Sequence, residues 1–458
     1  MTYSQELAAF VCTLTTEKIP EGTRARARQL MTDTLGVGLA GTRHPNFENA
    51  MAAVSAIPGT RGDHPVIGCS TRFLATYAAL ANGVACHVLD FDDTHTASIV
   101  HGSAIFLPLV LALGEELGRS GKDVQTAFVA GWEVAARVGI ASGNSFHNRG
   151  FHSTAIAGIF GATAAAGKLL DLTPEQMTHA FGLAGSQASG ITEFLTNSSS
   201  SKGYHVGWAA RNAMEIGYLA RAGATGPLSV FEGTNGLLAT HGLPDRIDPP
   251  QLVADLGARW EAERVSIKPY PCCHFAHGAI DCAIALRQDG IVATDVQNIH
   301  AIIDEVAAGF VCDPIEAKWA PTSAYGAKFS LPYLVASGLI DGEVSMASFD
   351  DSSIARDDLL ALASRVSSEH AEKGTTGFPK YFPGHLVVTL TDGRKVEKRV
   401  PINRGNPDAP LSDVEVADKF FRNVDGLLSK RRAKMIVEKI GALESLQDLS
   451  DLSRELVM

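Results

Sequence analysis

Ala104-Ile105-Phe106-Leu107-Pro108-Leu109-Val110-Leu111-Ala112-Leu113 carries no ionisable group, and the helical period it opens runs on to Leu117. A helix that is apolar nearly all round has no face for water, so it belongs at the centre of a bundle. Pro108 within it predicts a kink or a later start. The same period recurs on either side. Thr23 to Leu39, ended by Ala40-Gly41, is a helix, and so are Ala75 to Val88, Val124 to Gly139, and Gly207 to Arg221, the last closed by Gly223. Thr154 to Leu170 is a helix of alanine and glycine, with Gly158, Gly161 and Gly167 inside it. Each internal glycine costs about 1 kcal/mol relative to alanine, which predicts a neighbouring helix whose backbone comes close. Thr173-Pro174-Glu175-Gln176 reads as a helix start, with Thr at the cap, Pro first and Gln third.

After Pro249 the texture changes. Val265 to Lys268 and Ile299 to Ile303 read as short strands. His385 to Val400 reads as a hairpin with Asp392-Gly393 as a two-residue turn. Helices at His277 to Leu286 and Phe329 to Ile340 lie between them, and from Ser412 the pattern is helical again. The fold class expected is mainly α with an α+β part. A large helical domain takes residues 1–265 plus 405–458, and a smaller α/β domain takes 266–404.

The 458-residue chain is 45% hydrophobic and carries a formal charge of −11. That balance argues against nucleic acid or an acidic membrane as partner, because both select basic surfaces. Seven cysteines, an odd number and scattered, do not make a disulfide framework. The N-terminal residues lack a signal-peptide pattern, and no apolar run is long enough to span a bilayer. A soluble protein of a reducing, cytoplasmic compartment is expected.

Four polar stretches interrupt the apolar ones. Asp90-Phe91-Asp92-Asp93-Thr94-His95, continuing to His101-Gly102, packs three carboxylates and two imidazoles between core helices. It reads as a metal site, as aspartates capping the next helix, or as a proton-transfer site using His101 and one carboxylate. Arg149-Gly150-Phe151-His152-Ser153-Thr154 precedes a helix, where Arg149 and His152 make a carboxylate-binding corner or Ser153 and Thr154 simply cap. Ser198 to Ser201, then Lys202 and His205, is a linker or a gathering of cations; it has no phosphate-loop frame. Lys268-Pro269-Tyr270-Pro271-Cys272-Cys273-His274, with His277, offers a Cys/His pair or two thiols in packing. No dinucleotide, flavin or pyridoxal signature is present, so the sum is a cofactor-free site for a small polyanion.

Asp90-Phe91-Asp92-Asp93-Thr94 with His101-Gly102-Ser103, Gly182 to Gly190, Lys268 to Cys273, and Ala327-Lys328-Phe329-Ser330 resemble the MmgE/PrpD family along nearly the whole chain. That family includes 2-methylcitrate dehydratases, cis-aconitate decarboxylases and an iminodisuccinate epimerase. The resemblance implies a large helical domain with a smaller α/β lid, a homodimer, and no metal or organic cofactor. It also implies Asp90, Thr94, His101, Lys202 and His277 as catalytic positions. Gly102 stands where many relatives have proline, and the step from Asp90 to His101 is one residue longer than in animal decarboxylases.

On this basis a cofactor-independent lyase of a citrate- or aconitate-like di- or tricarboxylate is expected. His101 and His277 carry protons, Asp90 orients or tunes one of them, and Lys202 and Arg149 anchor carboxylates. His152, Lys268 and His274 complete the substrate contacts. An epimerase or isomerase of a substituted dicarboxylate, and a non-catalytic binding or assembly protein, are the alternatives.

Overall fold

The computed structural model describes residues 1–457 apart from 198, 373 and 379. It divides into two units, Met1–Ser266 with Ser412–Met458, and Ile267–Leu411. The first part of the large unit runs α1 (Tyr3–Thr13), α2 (Glu21–Gly41), α3 (Pro45–Ala56), α4 (Ala75–His87), α5 (Ser103–Glu116) and α6 (Gly121–Ala141). It continues α7 (Ser145–Asn148), α8 (Ser153–Leu169), α9 (Pro174–Gly185), α10 (Phe194–Asn197), α11 (Ser201–Arg221) and α12 (Leu237–His241). Strands β1 (Arg61–Pro65) and β2 (Arg72–Phe73) pair antiparallel, as do β3 (Thr94–His95) and β4 (Val265–Ser266).

Helix α5 is buried from Ser103 to Gly114, as an apolar circumference requires, and it passes through Pro108 rather than starting after it. Helix α9 starts where expected, with the Thr173 hydroxyl and the Gln176 side chain capping each other's backbone. The three glycines of α8 have different reasons. A Cβ on Gly161 would lie 2.3 Å from the Gly131 carbonyl oxygen of α6, so here two backbones do approach. Gly158 and Gly167 instead make room for the side chains of Ile105 and Met177.

A second close crossing, of α4 and α11, matters more for the site. A Cβ on Gly83 would come within 3.0 Å of the Gly207 Cα, and one on Gly207 within 2.5 Å of the Leu80 carbonyl oxygen. His87 ends α4, one turn beyond Gly83, and Lys202 and His205 lie just before Gly207 on α11. Gly207→Val is expected to push these helices apart and to lower stability by about 1–3 kcal/mol, the usual range for overpacking. Urea unfolding checks it, and an unchanged midpoint would contradict the crossing.

The smaller unit contains α13 (His277–Gln288), β5 (Val296–Ile303), α14 (Glu305–Val311), α15 (Ile315–Trp319), α16 (Ala324–Lys328) and α17 (Leu331–Asp341). Helices α18 (Asp351–Ile354) and α19 (Asp357–Ala363) and strands β6 (Val366–His370), β7 (Gly384–Leu390) and β8 (Lys395–Val400) follow. Its sheet has the order β6-β5-β7-β8, with β5 and β6 parallel and the other neighbours antiparallel. Strand β7 buries alternate residues, so one face of the sheet meets a core that includes Ile280, Leu334, Leu386 and Val388.

The hairpin turn differs from expectation. Leu390 N–H donates to the Arg394 carbonyl and Gly393 N–H to the Leu390 carbonyl, so the loop has three residues, not two. Gly393 takes φ of 86°, the left-handed position that closes such a loop. The unit limits also lie beyond the expected 265/266 and 404/405. Ile267 N–H donates to the Gly405 carbonyl, and Arg404 N–H to Asp281, which holds the stretch after residue 404 in the smaller unit.

The chain then returns to the large unit as α20 (Asp413–Asn423), α21 (Lys430–Gly441) and α22 (Ser450–Leu456). Ser412 and Glu415 form a capping box at the start of α20, which buries Val416, Lys419, Phe420 and Asn423. Among the described residues no helix is long and apolar enough to cross a membrane.

Candidate active site

The apolar helix α4 ends at His87, and the chain then turns through Asp90 with φ of 55°, a left-handed conformation unusual outside glycine. Ile99, near the other end of the loop, has φ of 53°. Two such residues cost of order 1–3 kcal/mol each and persist only where the surroundings hold them. The surroundings do so. The β3–β4 pair fixes Thr94 and His95, and the Thr154 hydroxyl of α8 accepts the His101 backbone N–H at 3.1 Å.

Each carboxylate of the loop has its own partner. Lys202 Nζ donates to Asp90 Oδ1 at 2.9 Å. Asp92 Oδ2 lies 2.6 Å from His87 Nδ1, with both side chains fully buried. Asp93 Oδ1 accepts from Ser103 N–H at 3.4 Å at the start of α5, so helix capping applies to Asp93. Burial pushes the Asp93 carboxyl well above its ordinary range, and the neighbouring Asp92 and Asp33 push it further.

His101 Nδ1 lies 2.6 Å from the Asp93 backbone carbonyl oxygen and 3.1 Å from the Thr94 hydroxyl. A carbonyl can only accept, so the proton sits on Nδ1 and the basic lone pair on Nε2. This imidazole is therefore held in one tautomer with a defined reactive nitrogen.

Around it lies a cluster of histidines. The His87 ring centroid is 5.6 Å from that of His101 and 5.7 Å from that of His152. His152 and His205 face each other with their Nδ1 atoms 3.0 Å apart. Such a contact needs one N–H donor and one lone pair, hence at least one neutral ring. Burial lowers the His152 imidazole well below its ordinary range, and the charges of His87 and Lys202 add to this. Burial, with the same two neighbours, brings His205 down to about 4.

The unfolded chain binds a proton at His205 as pH falls through about 6.5, whereas the folded chain does so only near 4. The contribution of His205 to stability is complete above about 6.5 and is lost as pH falls through about 4. His205→Gln is expected to flatten the decline of Tm over that interval. An unchanged slope by calorimetry would contradict the neutral ring.

Arg149 is bonded to another loop. Its guanidinium is exposed and donates to the Thr240 and Gly242 carbonyl oxygens at the end of α12. Those contacts give it a loop-holding role. His152 occupies the cap position of α8 but makes no side-chain cap, and Ser153 and Thr154 already belong to the helix. Of the serine run, Ser198 lies outside the described residues, and Ser201 and Lys202 already belong to α11.

The smaller unit holds the remaining candidates. Lys268 is buried, and Cys272 and Cys273 are buried in that unit's apolar core. His274 Nε2 accepts from the Asn403 amide at 3.0 Å, and its ring packs 4.6 Å from that of His277. His277 Nε2 donates to the Cys272 carbonyl at 3.3 Å. Tyr270 donates to Asp281 at 2.6 Å, and burial with that carboxylate raises the phenol well above its ordinary range. Among the described residues no group of three or more His, Cys, Asp or Glu side chains is placed to hold a metal ion.

Comparison with known proteins extends along the chain. Residues 5–249 match the MmgE/PrpD N-terminal domain, and residues 270–444 match the MmgE/PrpD C-terminal domain. The chain belongs to the MmgE/PrpD family. Among its relatives in that family, a cis-aconitate decarboxylase-like protein (oryM) of Aspergillus oryzae is 29% identical over 98% of this chain and 95% of its own length. The cis-aconitate decarboxylase of Aspergillus terreus is 28% identical over 98% and 94%. That of Homo sapiens is 30% identical over 93% and 89%.

The MmgE/PrpD resemblance pointed to Asp90, Thr94, His101, Lys202 and His277; the large unit brings the first four together with His152, and His277 belongs to the smaller unit. Sequence reasoning missed His87 and its bond to Asp92. The signal available was its place, as the one basic residue in an otherwise apolar helix end directly ahead of the carboxylate run.

Proposed function

We propose that this protein is a lyase, a decarboxylase or dehydratase, acting on a citrate- or aconitate-like di- or tricarboxylic acid by proton transfer at a carbon next to a carboxylate. The observation that carries the reading is His101, fixed by the Asp93 carbonyl with Nε2 as its basic nitrogen, in a cluster that also holds the Lys202 ammonium. The similarity to cis-aconitate decarboxylases supports the substrate class.

In this reading Lys202 holds a substrate carboxylate and the negative charge that develops during reaction, usually the largest catalytic contribution. When carbon dioxide leaves an unsaturated acid, the electron pair of the broken carbon–carbon bond shifts through the double bond to the carbon beside a remaining carboxylate. His101 then delivers a proton from Nε2 to that carbon. In a dehydration the same nitrogen removes a proton while hydroxide departs with another. The neutral His152–His205 pair supplies N–H donors without adding charge. Asp90 sets the position of Lys202. Thr94 supports the His101 ring. His277, in the smaller unit, is proposed as the second proton carrier, with Lys268 and His274 as substrate contacts there.

No step is assigned to a cofactor, and a cytoplasmic homodimer is the form proposed. The test is a screen of di- and tricarboxylates with products identified by NMR. Loss of carbon dioxide or water from one of them is the expected result. Exchange of hydrogen without either loss would make the protein an epimerase or isomerase, and binding without any change would overturn the enzymatic reading.

A further inference from the structure

Phe91 stands between the two carboxylates that hold Lys202 and His87, and a further charged group, Lys419, holds it. Lys419 Nζ, on α20, donates to the Phe91 carbonyl at 3.0 Å and lies 3.7 Å from the centre of the Phe91 ring. The same ammonium is 2.6 Å from Asp33 Oδ1 of α2. Lys419 is 2% exposed and Asp33 is 0% exposed.

A lysine this deep is rare, because taking an ion pair out of water costs as much as the attraction returns, and apolar residues of similar volume often do as well. Stability alone is therefore a weak reason for the pair. The contacts supply a better one. Three segments distant in sequence meet at a single loop residue, whose neighbours Asp90 and Asp92 carry the bonds to Lys202 and His87. Asp90 is in a left-handed conformation that the loop must be made to keep. The carbonyl bond and the ring contact fix Phe91 in position and in rotation, and with it the directions in which Asp90 and Asp92 leave the backbone.

We propose that Lys419 is a positioning residue for the proton-transfer site, acting through Phe91 to set Asp90 against Lys202 and Asp92 against His87. The proposal rests on the function proposed above. It also gives the returning C-terminal helix a part in the chemistry beyond completing the bundle.

The test compares wild-type protein, Lys419→Met, and the double variant Asp33→Asn with Lys419→Met. Three quantities are read: urea stability, the exchange of the C2–H of His87 and His101 by mass spectrometry without substrate, and kcat and KM on the acid found in the screen. The single variant leaves Asp33 buried without its cation and is expected to lose both stability and turnover. The double variant removes both charges of the pair and is expected to regain most of the stability. Its kcat should nevertheless stay about 10- to 100-fold low, the scale of a misplaced catalytic group, with KM changed far less. His87 and His101 should exchange at altered rates.

A double variant with wild-type kcat and wild-type exchange at both histidines would overturn the proposal, since Lys419 would then serve stability alone. If Lys419→Met does not fold, the double variant still decides. If the wild-type protein transforms no acid, the functional reading falls, and exchange at His87 and His101 in the folded double variant decides the positioning role by itself.

Discussion

His101→Gln is expected to lower kcat by about 10²- to 10⁴-fold, the usual contribution of a general acid or base, while substrate binding changes little. Glutamine fills much of the imidazole volume but cannot take or give a proton at the position of Nε2. His101 is held from three sides: its Nδ1 by the Asp93 carbonyl, with the Thr94 hydroxyl beside it, and its backbone N–H by Thr154. Loss of the ring therefore leaves its neighbours anchored by other bonds, Asp92 by His87 and Asp93 by the start of α5. Circular dichroism should show an intact fold. Steady-state kinetics checks the rest, and a variant retaining full kcat would remove His101 from the mechanism.

Lys202→Met should cost about 10²- to 10³-fold in turnover, the scale for loss of one group that stabilises developing negative charge. The effect has two parts. The ammonium that would meet the substrate carboxylate is gone, and Asp90, whose charge it balances at 2.9 Å, is left facing an anionic substrate. The pair is partly open to solvent, with side chains 20% and 11% exposed, so its removal should alter stability much less than activity. Asp90→Asn separates the two parts. It keeps the ammonium and removes the repelling carboxylate, so it should be the milder variant. Kinetics in which Asp90→Asn is the more damaging would assign the chemistry to the carboxylate instead.

Much of the helical architecture was legible because it rests on periodicity. The apolar circumference of α5 required a central position, and the Thr173–Gln176 box required a start at α9. Boundaries and turns were less so. Lys202 and His205 read as residues ahead of a helix, yet α11 begins at Ser201, because a run of serines hides a start without a capping bond. The Asp392-Gly393 pair suggested a two-residue turn, but the loop takes a third residue and places Gly393 in the left-handed position. Neither outcome is fixed by residue type alone.

The site was legible in residue types and hidden in its pairings. Arg149 ahead of a helix is suited to a carboxylate, but two backbone carbonyls occupy it. Asp92 and Asp93 are adjacent and chemically identical, yet one binds a histidine and the other caps a helix. Lys419, some 300 residues downstream of the loop it grips, carries no local signal of that role, since the contact exists only after the C-terminal helix has returned.

The central claim is that side chains of this chain move a proton to or from a carbon beside a carboxylate. Turnover in deuterated water on the acid found in the screen, followed by proton NMR and mass spectrometry, tests it most directly. The account predicts one solvent deuterium at the carbon next to a remaining carboxylate, in the product of a decarboxylation or in the hydrated acid formed when a dehydration is run in reverse, and its disappearance in His101→Gln. Decarboxylated or hydrated product without deuterium at that carbon, or labelling that persists unchanged in His101→Gln, would contradict it.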